Sequence, residues 1–245
     1  MLIRRGPARS HQLDRRLAFT LAGVAGSLNA AVFHAVGFFA ANMTGNVSAL
    51  SSLIAMGQWG HGLFYLAIVA VFIGGATVSS LAIDIGLRRE VATIYARMVL
   101  AEAAMLVAIG LVGPVLHPDR RAVLLILGLS FLMGLQNAIV THISEARVRT
   151  THISGMATDV GIRLARLIAL SHGKGTAEEQ ARTMARLRLH AGTIGSFLLG
   201  GILGVLLYRW QPDLAITLAA LPLFATRIAT LRQTAVRQGH EKPQN

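Results

Sequence analysis

Eight apolar runs punctuate the chain, at 17–39, 47–57, 62–85, 98–116, 121–141, 156–170, 188–208 and from 213 to 226 or slightly beyond. A helix needs about 20 apolar residues to cross a bilayer, and six of the runs reach or approach that length. The run 47–57 does not: at 1.5 Å per residue it covers roughly half a bilayer. The run 156–170 contains Asp159, Arg163 and Arg166, which are costly against lipid. The pattern predicts an all-α membrane protein with six transmembrane helices plus two short re-entrant or broken helices. Eight crossings is the alternative. The expected regions are a basic cytoplasmic N-terminus at 1–16, a first membrane repeat at 17–116, a second at 121–231 and a polar tail at 232–245. A cytoplasmic helix near 177–187 belongs to the second repeat, because Thr176 and Glu179 have the spacing of a capping box.

The division into repeats rests on an internal resemblance. Gly26-Ser-Leu-Asn29-Ala30 is similar to Gly134-Leu-Gln136-Asn137-Ala138. Each segment is followed by a polar turn before a short run, Thr44-Gly45 in the first half and Ser154-Gly155 in the second. Both halves then read as span, odd run, span, span. An odd number of crossings per half makes the halves oppositely oriented, an architecture common among transporters and channels. A basic start before an apolar run also fits a signal peptide. The later copy of that run argues instead for a retained first span.

Composition supports the membrane assignment. Of 245 residues, 53% are hydrophobic and only 14% charged, against about 25% charged in soluble domains. The net charge of +12 does not point to nucleic acid, because the arginines cluster between apolar runs. With six crossings and both termini cytoplasmic, 20 of the 23 Lys and Arg lie inside, leaving only Arg120, Arg121 and Arg209 outside. Eight crossings would leave 17 inside, so the positive-inside rule favours six. Trp59 and Trp210 then share the outer headgroup level.

The stretch Gly37-Phe-Phe-Ala-Ala-Asn42-Met-Thr44-Gly45-Asn46 resembles the signature of the YoaK-like family of bacterial membrane proteins. Gly134-Leu-Gln136-Asn137 and Arg149-Thr150-Thr151-His152-Ile-Ser154-Gly155 are similar to that family's second-half segments. The resemblance extends over roughly residues 15–235. It implies a multi-pass protein of the bacterial inner membrane and specifies no activity.

Candidate chemistry gathers at the two turns. Asn42, Thr44, Gly45 and Asn46 precede the first short helix, and Thr151, Ser154 and Gly155 the second. Asn, Thr and Ser cap helix N-termini through their side-chain oxygens, and glycine permits a sharp turn. Helix starts brought to mid-membrane would offer free N–H groups to an anionic or polar solute; ordinary caps at the surface are the competing possibility. Asp159 and Arg163 are spaced for an i,i+4 pair and complete the expected substrate-binding set. Asn29, Gln136 and Asn137, inside long apolar runs, are expected to hold the interrupted loops by hydrogen bonds. Glu102 is five residues past Arg97, and a snorkelling pair is expected there at least as much as a proton site. Gly192, Ser196, Gly200 and Gly204 form a small-residue stripe suited to close helix packing, within the chain or in a homo-oligomer.

Several chemistries find no support in the sequence. There is no cysteine, no metal-ligand spacing, no Walker lysine and no nucleophile elbow. No enzyme activity, metal or cofactor is therefore expected. The expected partners are the lipid bilayer and a small polar or anionic solute, with no nucleic acid. The function expected is secondary transport or facilitated permeation; the alternative is a regulatory, scramblase-like or assembly membrane protein.

Overall fold

The computed structural model describes residues 11–171 and 175–226. Most of the basic N-terminus and the tail at 232–245 lie outside the described residues. The described residues form helices without a strand: α1 (His11–Val36), α2 (Met43–Ala55), α3 (Trp59–Arg88), α4 (Ile94–Val112), α5 (Pro118–Ser144), α6 (Ile153–Ser171), α7 (Ala177–Trp210) and α8 (Pro212–Leu218). A single 3-10 turn, Gly113–Val115, lies between α4 and α5.

Local chemistry sets the boundaries. Gly37 ends α1 at φ +77°, where its N–H bonds back to the Phe33 carbonyl and only glycine is free of Cβ strain. Asn42 caps α2 by accepting from the Gly45 N–H at 3.1 Å. Pro118 occupies the first turn of α5, where its missing N–H costs nothing. The expected capping box of Thr176 and Glu179 opens α7, which runs unbroken from the polar segment into the apolar one.

Five helical segments are long and apolar enough to cross a membrane: Arg15–Val36, Trp59–Arg88, Ile94–Val115, Pro118–Ser144 and Ala177–Trp210. Their outer faces are apolar. Ile73, Val78, Leu81 and Ile85 of α3 and Leu198, Leu199, Ile202, Leu203 and Leu206 of α7 are all exposed. Glu102, Gln136, Ser79 and Ser130 are completely buried. Apolar residues outside and polar ones inside are stable in lipid and unfavourable in water. The expected sixth crossing begins as the short α8, turns at Ala219–Ala220 and resumes as helix over 221–226, where the described residues end.

Packing relates the two halves. The most extensive helix contacts are α1 with α7 and α3 with α5. Contacts advance together along each pair, so each pair is parallel: Phe19 meets Gly192 and Ser27 meets Gly204, while Phe72 meets Gly134 and Ser80 meets His142. At the first crossing a Cβ on Gly26 would strike the Phe197 carbonyl, and one on Gly200 the Gly23 carbonyl. At the second, a Cβ on Gly134 would strike the Phe72 carbonyl, and one on Gly75 the Phe131 carbonyl. The repeated glycines Gly26 and Gly134 thus occupy matching places in matching contacts. The stripe of Gly192, Ser196, Gly200 and Gly204 is used inside the chain, against Phe19, Gly23 and Ser27 of α1. Of the two partners the stripe allowed, the contact described is the one within the chain.

Candidate functional site

Each half sends a polar turn back into the bundle, and a buried asparagine tethers it. The Asn29 side-chain oxygen accepts the Ala41 N–H at 2.9 Å. Since α1 continues about 10 Å past Asn29, the chain must double back after Gly37 to make this bond. The Asn137 side-chain oxygen accepts the Thr151 hydroxyl at 2.9 Å, tethering the turn before α6. The Asn137 amide donates to the Met133 carbonyl at 2.7 Å, within α5. Equivalent asparagines therefore do equivalent work, as the sequence suggested.

The two turns meet in one cavity of about 790 Å³. Asn42, Thr44 and Gly45 line it from the first half; Thr151, His152 and Ser154 line it from the second. Asn29, Asn137 and Ser48 add polar atoms, and Phe39, Phe72 and Phe197 add aromatic wall. A Cβ on Gly45 would come within 2.6 Å of Asn42 Nδ2, and one on Gly155 within 2.6 Å of His152 Nδ1. Both glycines give the capping position room. In the second half His152 stands where Asn42 stands in the first, and its Nδ1 accepts from Arg149 at 2.8 Å.

Not every expected residue joins this cavity. Asn46 is buried beneath it and donates to the Phe39 carbonyl at 3.2 Å, bracing the turn. Gly155 and Asp159 line a separate cavity of about 440 Å³. The expected Asp159–Arg163 pair is absent among the described residues. Asp159 Oδ2 instead lies 3.6 Å from His190 Nδ1, because antiparallel α7 presents that imidazole across the α6 face. Arg163 Nε is buried without a hydrogen-bond partner. Arg166 pairs with Glu179 at 3.7 Å, and Glu178 pairs with Arg182 one turn on.

Glu102 also departs from expectation. It is fully buried and accepts from the Gln136 amide at 2.9 Å, far from a snorkelling role. Gln136 consequently faces α4 rather than either polar turn. The sequence signal available was the apolar run on both sides of Glu102, which places it on a span; the depth of that position depends on packing.

The family described as protein of unknown function (DUF1275) matches residues 17–229, and the chain belongs to that family. No curated protein and no solved structure matches it.

Proposed function

We propose that this DUF1275 protein is a secondary transporter or facilitator for a small polar or anionic solute, held in the bacterial inner membrane with both termini cytoplasmic. The supporting observation is the convergence of two tethered turns, one from each half, on one polar cavity. A merely structural core gains nothing from such a void, whose lining forgoes packing contacts. Two helix starts, α2 and α6, bring partly positive N–H groups to its wall. Asn42, Thr44, Asn137, Thr151 and Ser154 supply both donors and acceptors there. In this proposal the halves are inverted, the chain crosses six times, and rocking of one half against the other exposes the cavity to each side in turn.

The test begins with an untargeted comparison of solutes in cells lacking and overproducing the protein, to name the solute. Flux of that solute is then measured in liposomes. Gly45→Val and Gly155→Val should each reduce flux at least about tenfold, with a smaller effect on folded yield, since the added bulk crowds the cap beside the cavity. Wild-type flux in both variants would remove the cavity from the transport path.

One further observation favours a second function, passage of lipid. An apolar groove lined by Leu198, Gly201, Ile202, Val205 and Leu206 shares Asn29, Phe39 and Phe197 with the polar cavity. A headgroup could cross through the cavity while its tails remain in the groove. Scrambling of a fluorescent phospholipid by the same liposomes, unaffected by the solute, would establish that function in place of solute transport.

A further inference from the structure

The 440 Å³ cavity beside the central one has a composition of its own. It is lined by Arg147 and Arg149 from the turn after α5, Thr158 and Asp159 from α6, and His190 and Thr193 from α7. Arg149, Arg163 and Arg186 all lie within electrostatic reach of His190. Asp159 is the single carboxylate among these groups, and only about half exposed, so cationic charge is in clear excess. His190 Nδ1 lies 3.6 Å from Asp159 Oδ2, and Arg163, close to His190 but off the cavity wall, has its Nε buried with no hydrogen-bond partner. An excess of guanidinium charge at a cavity favours an anion there.

The fold does not require this cluster. Matching Gly155 to Gly45 and Gly200 to Gly75 places Arg149, Asp159, Arg163 and His190 opposite Phe39, Ala49, Leu53 and Tyr65. The first half builds the same helices with none of these charges. The backbone on the cavity's edge is also held in an unusual form, with Glu145 at φ +50° and Ala146 at φ +58°. That conformation swings the chain so that Arg147 and Arg149 follow directly on the end of α5.

From these observations we infer that the cavity is an anion-binding site for a phosphate group, separate from the central cavity. Guanidinium groups match the geometry of phosphate oxygens and bind them by charge-assisted hydrogen bonds. Arg149 supplies the principal donors from the cavity wall, Arg163 adds positive charge nearby, and Asp159 limits the affinity by opposing the ligand's charge. No residue lines both cavities, although the Arg149–His152 bond of 2.8 Å joins their walls. The phosphate can belong to a soluble ion or to the headgroup of an anionic lipid at the basic end of the bundle.

The test uses the full chain in neutral detergent, with the thermal midpoint as readout. Inorganic phosphate is titrated against potassium chloride of equal ionic strength, and dihexanoyl phosphatidylglycerol against dihexanoyl phosphatidylcholine. A saturable rise with phosphate and phosphatidylglycerol assigns a site open to free oxyanions; a rise with phosphatidylglycerol alone assigns a headgroup site. Arg149→Gln should weaken the response about tenfold, the loss expected of one charge-assisted hydrogen bond. Arg149→Lys, which keeps the charge should the first variant fail to fold, should weaken it less, and Asp159→Asn should strengthen it. Thr44→Val in the central cavity should leave it unchanged. The inference is overturned if neither probe exceeds its control, if Arg149→Gln responds as wild type, or if Thr44→Val alone abolishes the response.

Discussion

Asn29 and Asn137 show how much one amide can organise inside an apolar helix. Each leaves its own helix to hold a turn from the same half, so removing either leaves a loop polar group without its partner. Asn29→Ala and Asn137→Ala should each cost about 1–3 kcal/mol, seen as a lowered thermal midpoint. Thr151→Val should resemble Asn137→Ala, and the double variant should cost little more than either single one, because both remove the same bond. A midpoint equal to wild type would mean that the turns hold their position without the tethers. Ala146 makes the opposite case: at φ +58° its Cβ is a burden of about 1–2 kcal/mol, so Ala146→Gly should raise the midpoint despite glycine's entropy. The asparagines were legible in the sequence because polar side chains in apolar runs must find partners. The partner of Asp159 was not: helical spacing offers Arg163, while packing supplies His190 from a helix some thirty residues on.

Among the helices, glycine marks two matching crossings. Gly26 and Gly134 each lie against a phenylalanine carbonyl of the facing helix, Phe197 and Phe72 respectively. A methyl group has no room there, and overpacking costs about 1–3 kcal/mol or more. Gly26→Ala and Gly134→Ala should therefore lower folded yield by similar amounts. Gly74→Ala and Gly195→Ala are the contrast, since a Cβ at either position meets nothing within 4 Å. Those substitutions should be neutral or stabilise by up to about 1 kcal/mol through helix propensity. Thermal midpoints of the four variants decide between a contact effect and a general cost of losing glycine. The small-residue stripe on α7 was visible as a close-packing surface, but a stripe specifies its own shape and not its partner. That is why α1 of the same chain, rather than a second copy, was not evident. The half-length of α2 was readable from its run; the inward return of the turn before it needed the Asn29 bond.

For the whole molecule, charge distribution makes the sharpest statement. If the six-crossing arrangement holds, a single cysteine at Arg89 should resist a membrane-impermeant maleimide in intact cells, and one at Trp210 should react. Since the native chain has no cysteine, labelling is free of background. External labelling at Arg89 would point to eight crossings. Hydropathy located the helices but left their neighbours open, since lipid-facing and core-facing runs are alike in composition: α3 and α7 are exposed along much of their length, while α5 is mostly buried. The parallel pairing of α1 with α7 and α3 with α5 carries a consequence for biosynthesis. Among the described helices α1 is made first yet docks on α7, so until α7 is made α1 has its crossing glycines uncovered in the lipid. Its lasting partner arrives only after five further helices have been made. The halves should therefore be unable to mature separately. Fragments 1–116 and 117–245 expressed alone should be degraded, and coexpressed they should rescue one another. Until synthesis reaches α7, the nascent protein needs shelter, from the insertion machinery or from its own incomplete bundle.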